Sequence, residues 1–146
     1  MSRRVRIHHF VVAEIVKPQT QSWRATDLFG ASHWLDVPAD TEFPHTIARV
    51  HLFARFYLRR AKPAEFQVRI KWLDTPNRRP RVIGNFGPLT VPFVQDTTAR
   101  DWSFNLHNIR VQGVGVHRVE LIRERAGGWK PGKPVRVATT YFVVER

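Results

Sequence analysis

Apolar and polar residues alternate along residues 46–73 in two runs that a short loop separates. The first run extends to about residue 59, and arginines and aromatic residues occupy its polar parity. The second run follows the loop 60–64 and carries Phe66, Val68, Ile70 and Trp72 on its apolar parity. A period of two over this length is typical of strands that bury one face. We therefore predict that residues 46–73 form one long β-hairpin.

The rest of the chain shows strand patterns and no amphipathic helix. The predicted strand segments are 5–16, 23–37, 81–94, 100–111, 113–125 and 135–144. Glycines and prolines within 81–94 indicate an edge strand, whereas apolar residues on both parities of 135–144 indicate a strand that is covered on both sides or lies centrally in a sheet. The apolar parity changes at His107 and Asn108, which predicts a bulge or a strand break there.

About eight strands with short connections and no crossover helices predict an all-β fold, an antiparallel β-sandwich with little or no helix. The 146 residues contain no linker or repeat, so we expect a single domain spanning residues 1–146. The chain has no cysteine, which excludes disulfides and thiolate metal sites. The apolar run near the N-terminus is too short and too interrupted for a signal peptide or a membrane span, and we expect a cytoplasmic location.

Several short motifs occur in a characteristic order along most of the chain. They are Asp-Leu-Phe-Gly-Ala at 27–31, Val-Pro at 37–38, Phe-Pro at 43–44, the first strand of the predicted hairpin, and Gly-Val-His-Arg-Val-Glu-Leu-Ile at 115–122. This order resembles a family of uncharacterised bacterial proteins, small single-domain β-sandwiches of unknown function, whose closing strand reads Gly-x-Tyr-x-Phe-x-Leu. The resemblance implies a β-sandwich fold and a bacterial source, and it transfers no catalytic residue.

The formal net charge of +12 favours association with anionic partners such as nucleic acid or acidic proteins. In the predicted hairpin, Arg55 would lie opposite Arg69, and two like charges facing each other repel. Such a face, with aromatic rings beside its cations, is suited to binding an anion or to stacking bases. The candidate binding residues are Phe53, Arg55, Tyr57, Arg69, Lys71, Arg78 and Arg79.

Motifs for catalysis and cofactor binding are missing from the sequence. The seven histidines form no His-x-His pair, the serines lie in no Gly-x-Ser-x-Gly turn, and no glycine-rich phosphate loop occurs. We therefore predict no catalytic residue, no metal ligand and no cofactor, and expect a protein that is not an enzyme.

The pattern as a whole favours a non-catalytic binding or interaction module of an intracellular bacterial protein, with an unknown protein or anionic partner. One alternative is a nucleic-acid-binding protein that uses a basic and aromatic sheet face. A second is a carbohydrate-binding β-sandwich, for which Trp23, Trp34 and Trp129 would supply aromatic rings at one rim. Homo-oligomerisation through an exposed sheet face or edge is a further expectation to test.

Overall fold

A computed structural model describes residues 6–13, 15–18, 26–29, 34–57, 64–91, 99–123 and 135–146 of the chain. These residues form ten strands and no helix, which confirms the all-β prediction but exceeds the expected number of strands. In these ranges there is consequently no helix with the length and hydropathy to cross a membrane. The strands are β1 (Arg6–Ala13), β2 (Ile15–Pro18), β3 (Thr26–Phe29), β4 (Trp34–Asp36), β5 (His45–Tyr57), β6 (Ala64–Trp72), β7 (Arg81–Val91), β8 (Ala99–Val111), β9 (Gly115–Arg123) and β10 (Val135–Glu145).

The strands are arranged in two larger sheets and one two-stranded ribbon. One sheet has three strands in the order β1-β5-β8, the other has five in the order β4-β10-β9-β6-β7, and β2 pairs with β3. Strand β7 lies at an edge and β10 is paired on both sides, as the sequence predicts for these segments. The expectation of purely antiparallel pairing is wrong at one edge, because β4 runs parallel to β10.

The predicted hairpin over residues 46–73 is wrong, although both of its strands exist. Strand β5 pairs with β1 and β8, whereas β6 pairs with β7 and β9, so the two strands lie in different sheets. Arg55 lies opposite Asp101 on β8, and Arg69 lies opposite Glu120 on β9. Each arginine therefore has an acidic residue as a register partner, and the predicted pairing of Arg55 with Arg69 does not occur.

One buried core contains apolar side chains of both larger sheets. Val50, Leu52 and Phe104 come from the three-stranded sheet, and Val68 and Leu121 come from the five-stranded sheet. These residues alternate with polar ones along their strands, so the period of two in the sequence has its physical cause in this shared core.

The change of apolar parity in β8 is accommodated without a strand break. Strand β8 pairs with β5 in the same register on both sides of this position, from Leu106 through Ile109 to Val111. Asn108 adopts a positive φ of 54°, a region that asparagine tolerates better than most residues. As a result Leu106, Ile109 and Val111 are all buried although they differ in parity. The predicted bulge or break is therefore wrong, and one left-handed residue takes its place.

Candidate anion-binding face

Charged side chains cluster at the centre of the outer face of the five-stranded sheet. On β9, Val119 and Leu121 are buried in the core, so the alternating residues Arg118 and Glu120 point to the other face. The register places Lys71 of β6 opposite Arg118, and residues paired across strands share a face. We call the resulting surface the basic face. It consists of Arg69, Lys71, Arg118, Glu120, Arg136 and Tyr141.

Glu120 is the centre of this cluster and is only 5% exposed. Its Oε1 atom lies 3.1 Å from Nζ of Lys71 and 3.5 Å from Nε of Arg118. Its Oε2 atom lies 3.9 Å from a terminal nitrogen of Arg136. Three cations from three neighbouring strands therefore surround one carboxylate. Because lysine and arginine have long apolar stems, they can cover Glu120 while their charged ends stay closer to solvent.

The pKa of the Glu120 carboxyl is held below its ordinary value. Burial alone would raise this pKa, but the hydrogen bond and charge of Lys71 and the charges of Arg118 and Arg136 outweigh it. Glu120 is therefore an anion at neutral pH. A carboxylate with a lowered pKa is a weak base, so its environment suits charge compensation better than proton transfer.

The basic face carries more positive charge than its single carboxylate neutralises. The Nε atom of Arg69 donates a hydrogen bond of 3.2 Å to Oδ1 of Asn85, a neutral group, so its charge is not cancelled there. The buried Nε atom of Arg118 has no hydrogen-bond partner within the described ranges. Four cations against one carboxylate leave a formal charge of +3, a surplus that an anionic ligand would offset.

Aromatic side chains flank the basic face on the side of β4 and β10. Tyr141 lies opposite Arg118 and is 45% exposed, and Trp34 at the sheet edge is 54% exposed. Trp34 is the register partner of Val143, which alternates in phase with Tyr141, so both rings lie on the same side of the sheet. Cations and exposed rings thus share one surface.

The opposite side of β9 buries His117 between two aromatic rings. Its ring lies 4.8 Å from that of Phe142 at an angle of 5°, and 6.5 Å from that of Trp72 at 14°. Nδ1 lies 3.0 Å from the carbonyl oxygen of Gly115, and since a carbonyl only accepts, Nδ1 carries the proton. Nε2 is buried without a hydrogen-bond partner in the described structure. Burial lowers the pKa of His117, although the Gly115 hydrogen bond and the charge of Asp74 oppose it.

The residues predicted from sequence are not all brought together. Arg69 and Lys71 lie on the basic face, whereas Phe53 and Arg55 belong to the other larger sheet. Phe53 is buried at 5% exposure, which makes it unsuited to stacking a base. The remaining predicted residues fall into two groups. Arg78 and Arg79 are exposed in the turn between β6 and β7, while Trp23, Trp129 and the side chain of Tyr57 lie outside the described residues.

Sequence analysis missed four residues of the basic face. These are Arg118, Glu120, Arg136 and Tyr141. A usable signal existed on β9, where Arg118 and Glu120 alternate with Val119 and Leu121 just as the polar residues of β6 alternate with its apolar ones. The position of these residues beside Lys71 required knowledge of strand pairing, which the alternation does not contain.

Comparison with known proteins shows the fold and no family. No family model matches the chain, and no curated protein matches it significantly. The structure is similar to that of the alkylpurine DNA glycosylase AlkC from Pseudomonas fluorescens, bound to DNA containing an abasic site analog, with a TM-score of 0.53 and 11% identity. That match covers 100% of this chain and 32% of the glycosylase chain.

A second similar structure is a β-glucosidase from Listeria innocua in complex with isofagomine, with a TM-score of 0.48 and 12% identity. The match covers 97% of this chain and 16% of that chain. The chain thus spans a third or less of both proteins. At such identities the glycosylase likeness shows the fold alone, and the resemblance to an uncharacterised bacterial family stays a prediction.

Proposed function

We propose that this chain is a non-catalytic β-sandwich module that binds an anionic partner on its basic face. In this proposal the two larger sheets pack across their shared core, which leaves the outer face of the five-stranded sheet available for a partner. The cytoplasmic location, the bacterial source and homo-oligomerisation stay predictions from the sequence.

The convergence of three cations on one carboxylate supports the proposal most directly. Cations scattered over a sheet would each be solvated separately, but here Lys71, Arg118 and Arg136 approach the same two oxygen atoms. Glu120 therefore organises the cations without neutralising them, and it holds their ends close together before any ligand arrives. Such preorganisation lowers the entropy lost when the side chains bind an anion.

A double substitution at the periphery of the cluster tests the proposal. Arg69→Gln with Arg136→Gln removes two charges and leaves the close contact between Lys71 and Glu120 in place. We expect this variant to bind a labelled oligothymidylate or oligoglutamate about tenfold more weakly, equivalent to about 0.7 kcal/mol per charge. Fluorescence anisotropy at low and at physiological salt measures both affinities, and the salt slope should become shallower in the variant.

Arg49→Gln with Arg110→Gln is the matched control. Both arginines are exposed in the three-stranded sheet, so this variant loses the same charge at another surface. We expect it to change the affinity by less than about twofold, because only long-range attraction is lost. An equal loss in both variants would show that net charge alone drives binding, and a failure of the unmodified protein to bind either probe at low salt would refute the proposal.

A further inference from the structure

A cleft lies beside the basic face, at the turn between β6 and β7. Its volume is about 480 Å³, within the range of small-molecule sites. Its walls include the ring of Trp72, two prolines of the turn, the exposed Val82, and the arginines Arg79 and Arg81. We call it the turn cleft.

Trp72 is fixed in place by contacts with β9 and with the connection that precedes it. Its Nε1 atom donates a hydrogen bond of 3.0 Å to the carbonyl oxygen of Val114, and its ring stacks toward His117. The ring also packs so closely on Gly113 that a side chain at that position would collide with it. The indole is therefore held rigidly by the β8–β9 connection, and a ligand that stacks on it loses little further freedom of the protein.

The turn that carries the arginines is equally well ordered by its own hydrogen bonds. The buried hydroxyl of Thr75 donates to the carbonyl oxygen of Arg79 at 2.7 Å, and Oδ1 of Asn77 accepts from the backbone N–H of Arg79 at 3.1 Å. The N–H of Arg78 donates to the carbonyl oxygen of Thr75 at 3.0 Å. Pro76 and Pro80 restrict the backbone on either side of these residues. The arginine side chains thus project from a defined scaffold.

The turn cleft carries more positive than negative charge. Arg78, Arg79 and Arg81 are exposed, and none of them forms an ion pair within the described part of the chain. The neighbouring carboxylate of Asp74 accepts the N–H of Val116 at 2.8 Å through Oδ2, and its single charge offsets only part of the charge of the three arginines. The cleft therefore combines a flat aromatic wall with guanidinium groups, a combination that suits a planar ring carrying a phosphate.

The turn cleft and the basic face adjoin at one residue pair of β6 and β7. Val82, one wall of the cleft, is the register partner of Lys71, and Arg81 is the register partner of Trp72. Since consecutive residues of a strand point to opposite sides, Lys71 and Val82 lie on the side of the basic face, whereas Trp72 and Arg81 lie on the other side. A ligand that contacts both surfaces must therefore cross the edge strand β7. Neighbouring strands are about 4.8 Å apart, so an extended polyanion of a few units spans this distance.

Resting on the proposed function, we infer that the anionic partner is a single-stranded nucleic acid, with one base stacked on Trp72 in the turn cleft. The phosphates beside that base contact Arg79 and Arg81, and the following phosphates cross the edge strand β7 to reach the basic face. An acidic peptide would bind the cations equally well, but it contains no base that could stack on the rigid indole ring. Base stacking on an aromatic side chain tolerates any base sequence, so we expect little sequence preference.

The test compares three labelled probes of equal charge: an oligothymidylate, an abasic oligomer of the same length, and an oligoglutamate. We expect the unmodified protein to bind the oligothymidylate about tenfold more tightly than the abasic oligomer, as stacking of one base predicts. Trp72→Leu should reduce this preference to less than about twofold while the affinity for the abasic oligomer stays unchanged. Anisotropy titrations at low salt measure all three affinities.

A second variant keeps the inference testable if Trp72→Leu does not fold. Arg79→Gln with Arg81→Gln alters only exposed side chains, and it should weaken oligothymidylate binding about tenfold, against less than about twofold for the Arg49→Gln, Arg110→Gln control. Equal binding of both oligomers, a preference that persists in folded Trp72→Leu, or tighter binding of oligoglutamate would each overturn the inference and leave the proposed function standing. Failure of every probe to bind would overturn the proposed function itself.

Discussion

Replacing Glu120 by glutamine is expected to lower the free energy of unfolding by about 3 kcal/mol at neutral pH, because removing one partner of a buried ion pair strands the other charge. Glu120 is 5% exposed and meets Lys71, Arg118 and Arg136. Glutamine keeps the shape of the side chain but leaves three cations close together without a compensating charge. Urea unfolding followed by circular dichroism measures the difference, provided that the dependence on urea stays unchanged.

Glu65→Gln supplies the matched control for this substitution. Glu65 is an exposed carboxylate on the neighbouring strand β6, so its replacement removes the same charge from the same sheet. We expect a change of less than about 0.5 kcal/mol, as is usual for exposed positions. A comparable loss in both variants would mean that the net charge of the protein, and not the cluster around Glu120, governs stability.

The effect of Glu120 should depend on pH with a defined sign. The folded protein holds the pKa of Glu120 below its ordinary value of 4.5, so the unfolded chain binds the proton more readily. The stabilisation is therefore fully present above about pH 4.5 and is lost as the pH falls through the pKa of the folded state. The stability difference between the unmodified protein and Glu120→Gln should be constant from neutral pH down to this point and shrink below it. An unchanged difference at about pH 3 would contradict the assignment.

The same substitution should affect binding in the opposite direction. Glu120→Gln raises the formal charge of the basic face from +3 to +4, so we expect tighter binding of anionic probes despite the lower stability. The increase should be about threefold, since one exposed charge contributes less than about 1 kcal/mol. Anisotropy with oligothymidylate measures it. The glutamine oxygen can still accept from Lys71 and Arg118, so this expectation assumes that the cations stay close together. Weaker binding by a folded Glu120→Gln protein would show that the preorganisation by the carboxylate contributes more to affinity than the added charge.

Strand pairing is the point at which prediction from the sequence ends. The alternation in residues 46–73 identified β5 and β6 as strands with one buried face, and both are such strands. Alternation records which side chains leave water, but the same pattern results whether two consecutive strands pair in one sheet or lie in two different sheets that share a core. The predicted repulsion between Arg55 and Arg69 followed from the wrong choice between these two arrangements.

The candidate site shows the same limit in chemical terms. Arg69 and Lys71 were singled out for their charge, and they lie on the basic face, but the partner that defines this face is Glu120 on β9. Lys71 and Glu120 are far apart in the chain and meet only because β6 and β9 are neighbours. The turn cleft likewise depends on the β8–β9 connection, whose Val114 and Gly113 fix Trp72. Such long-range contacts cannot be derived from local patterns.

His117→Phe is expected to remove a loss of folding stability that begins at a higher pH than the loss caused by protonation of Glu120. His117 is fully buried, its ring stacks against Phe142, and burial lowers its pKa below the ordinary 6.5. Above about pH 6.5 the residue is neutral in both states and contributes no pH dependence. As the pH falls further, the unfolded chain takes up a proton that the folded state refuses, so stability declines until the pKa of the folded state is reached. Each unit by which the pKa is lowered corresponds to about 1.4 kcal/mol of this loss.

Phenylalanine can stack between Trp72 and Phe142 but cannot donate to the carbonyl oxygen of Gly115. We therefore expect His117→Phe to be less stable than the unmodified protein by about 1 kcal/mol at pH 8, and this difference should shrink as the pH falls below about 6.5. Urea unfolding at a series of pH values measures the change, with His107→Gln as the control for loss of an exposed histidine. If the difference in free energy of unfolding between His117→Phe and the unmodified protein does not change with pH, His117 must bind a proton inside the folded core and donate it from Nε2 to a hydrogen-bond acceptor. Because the window of His117 begins near pH 6.5 and that of Glu120 near pH 4.5, the two substitutions separate the charge cluster on the outer face from the buried ring stack on the inner face of the same strand.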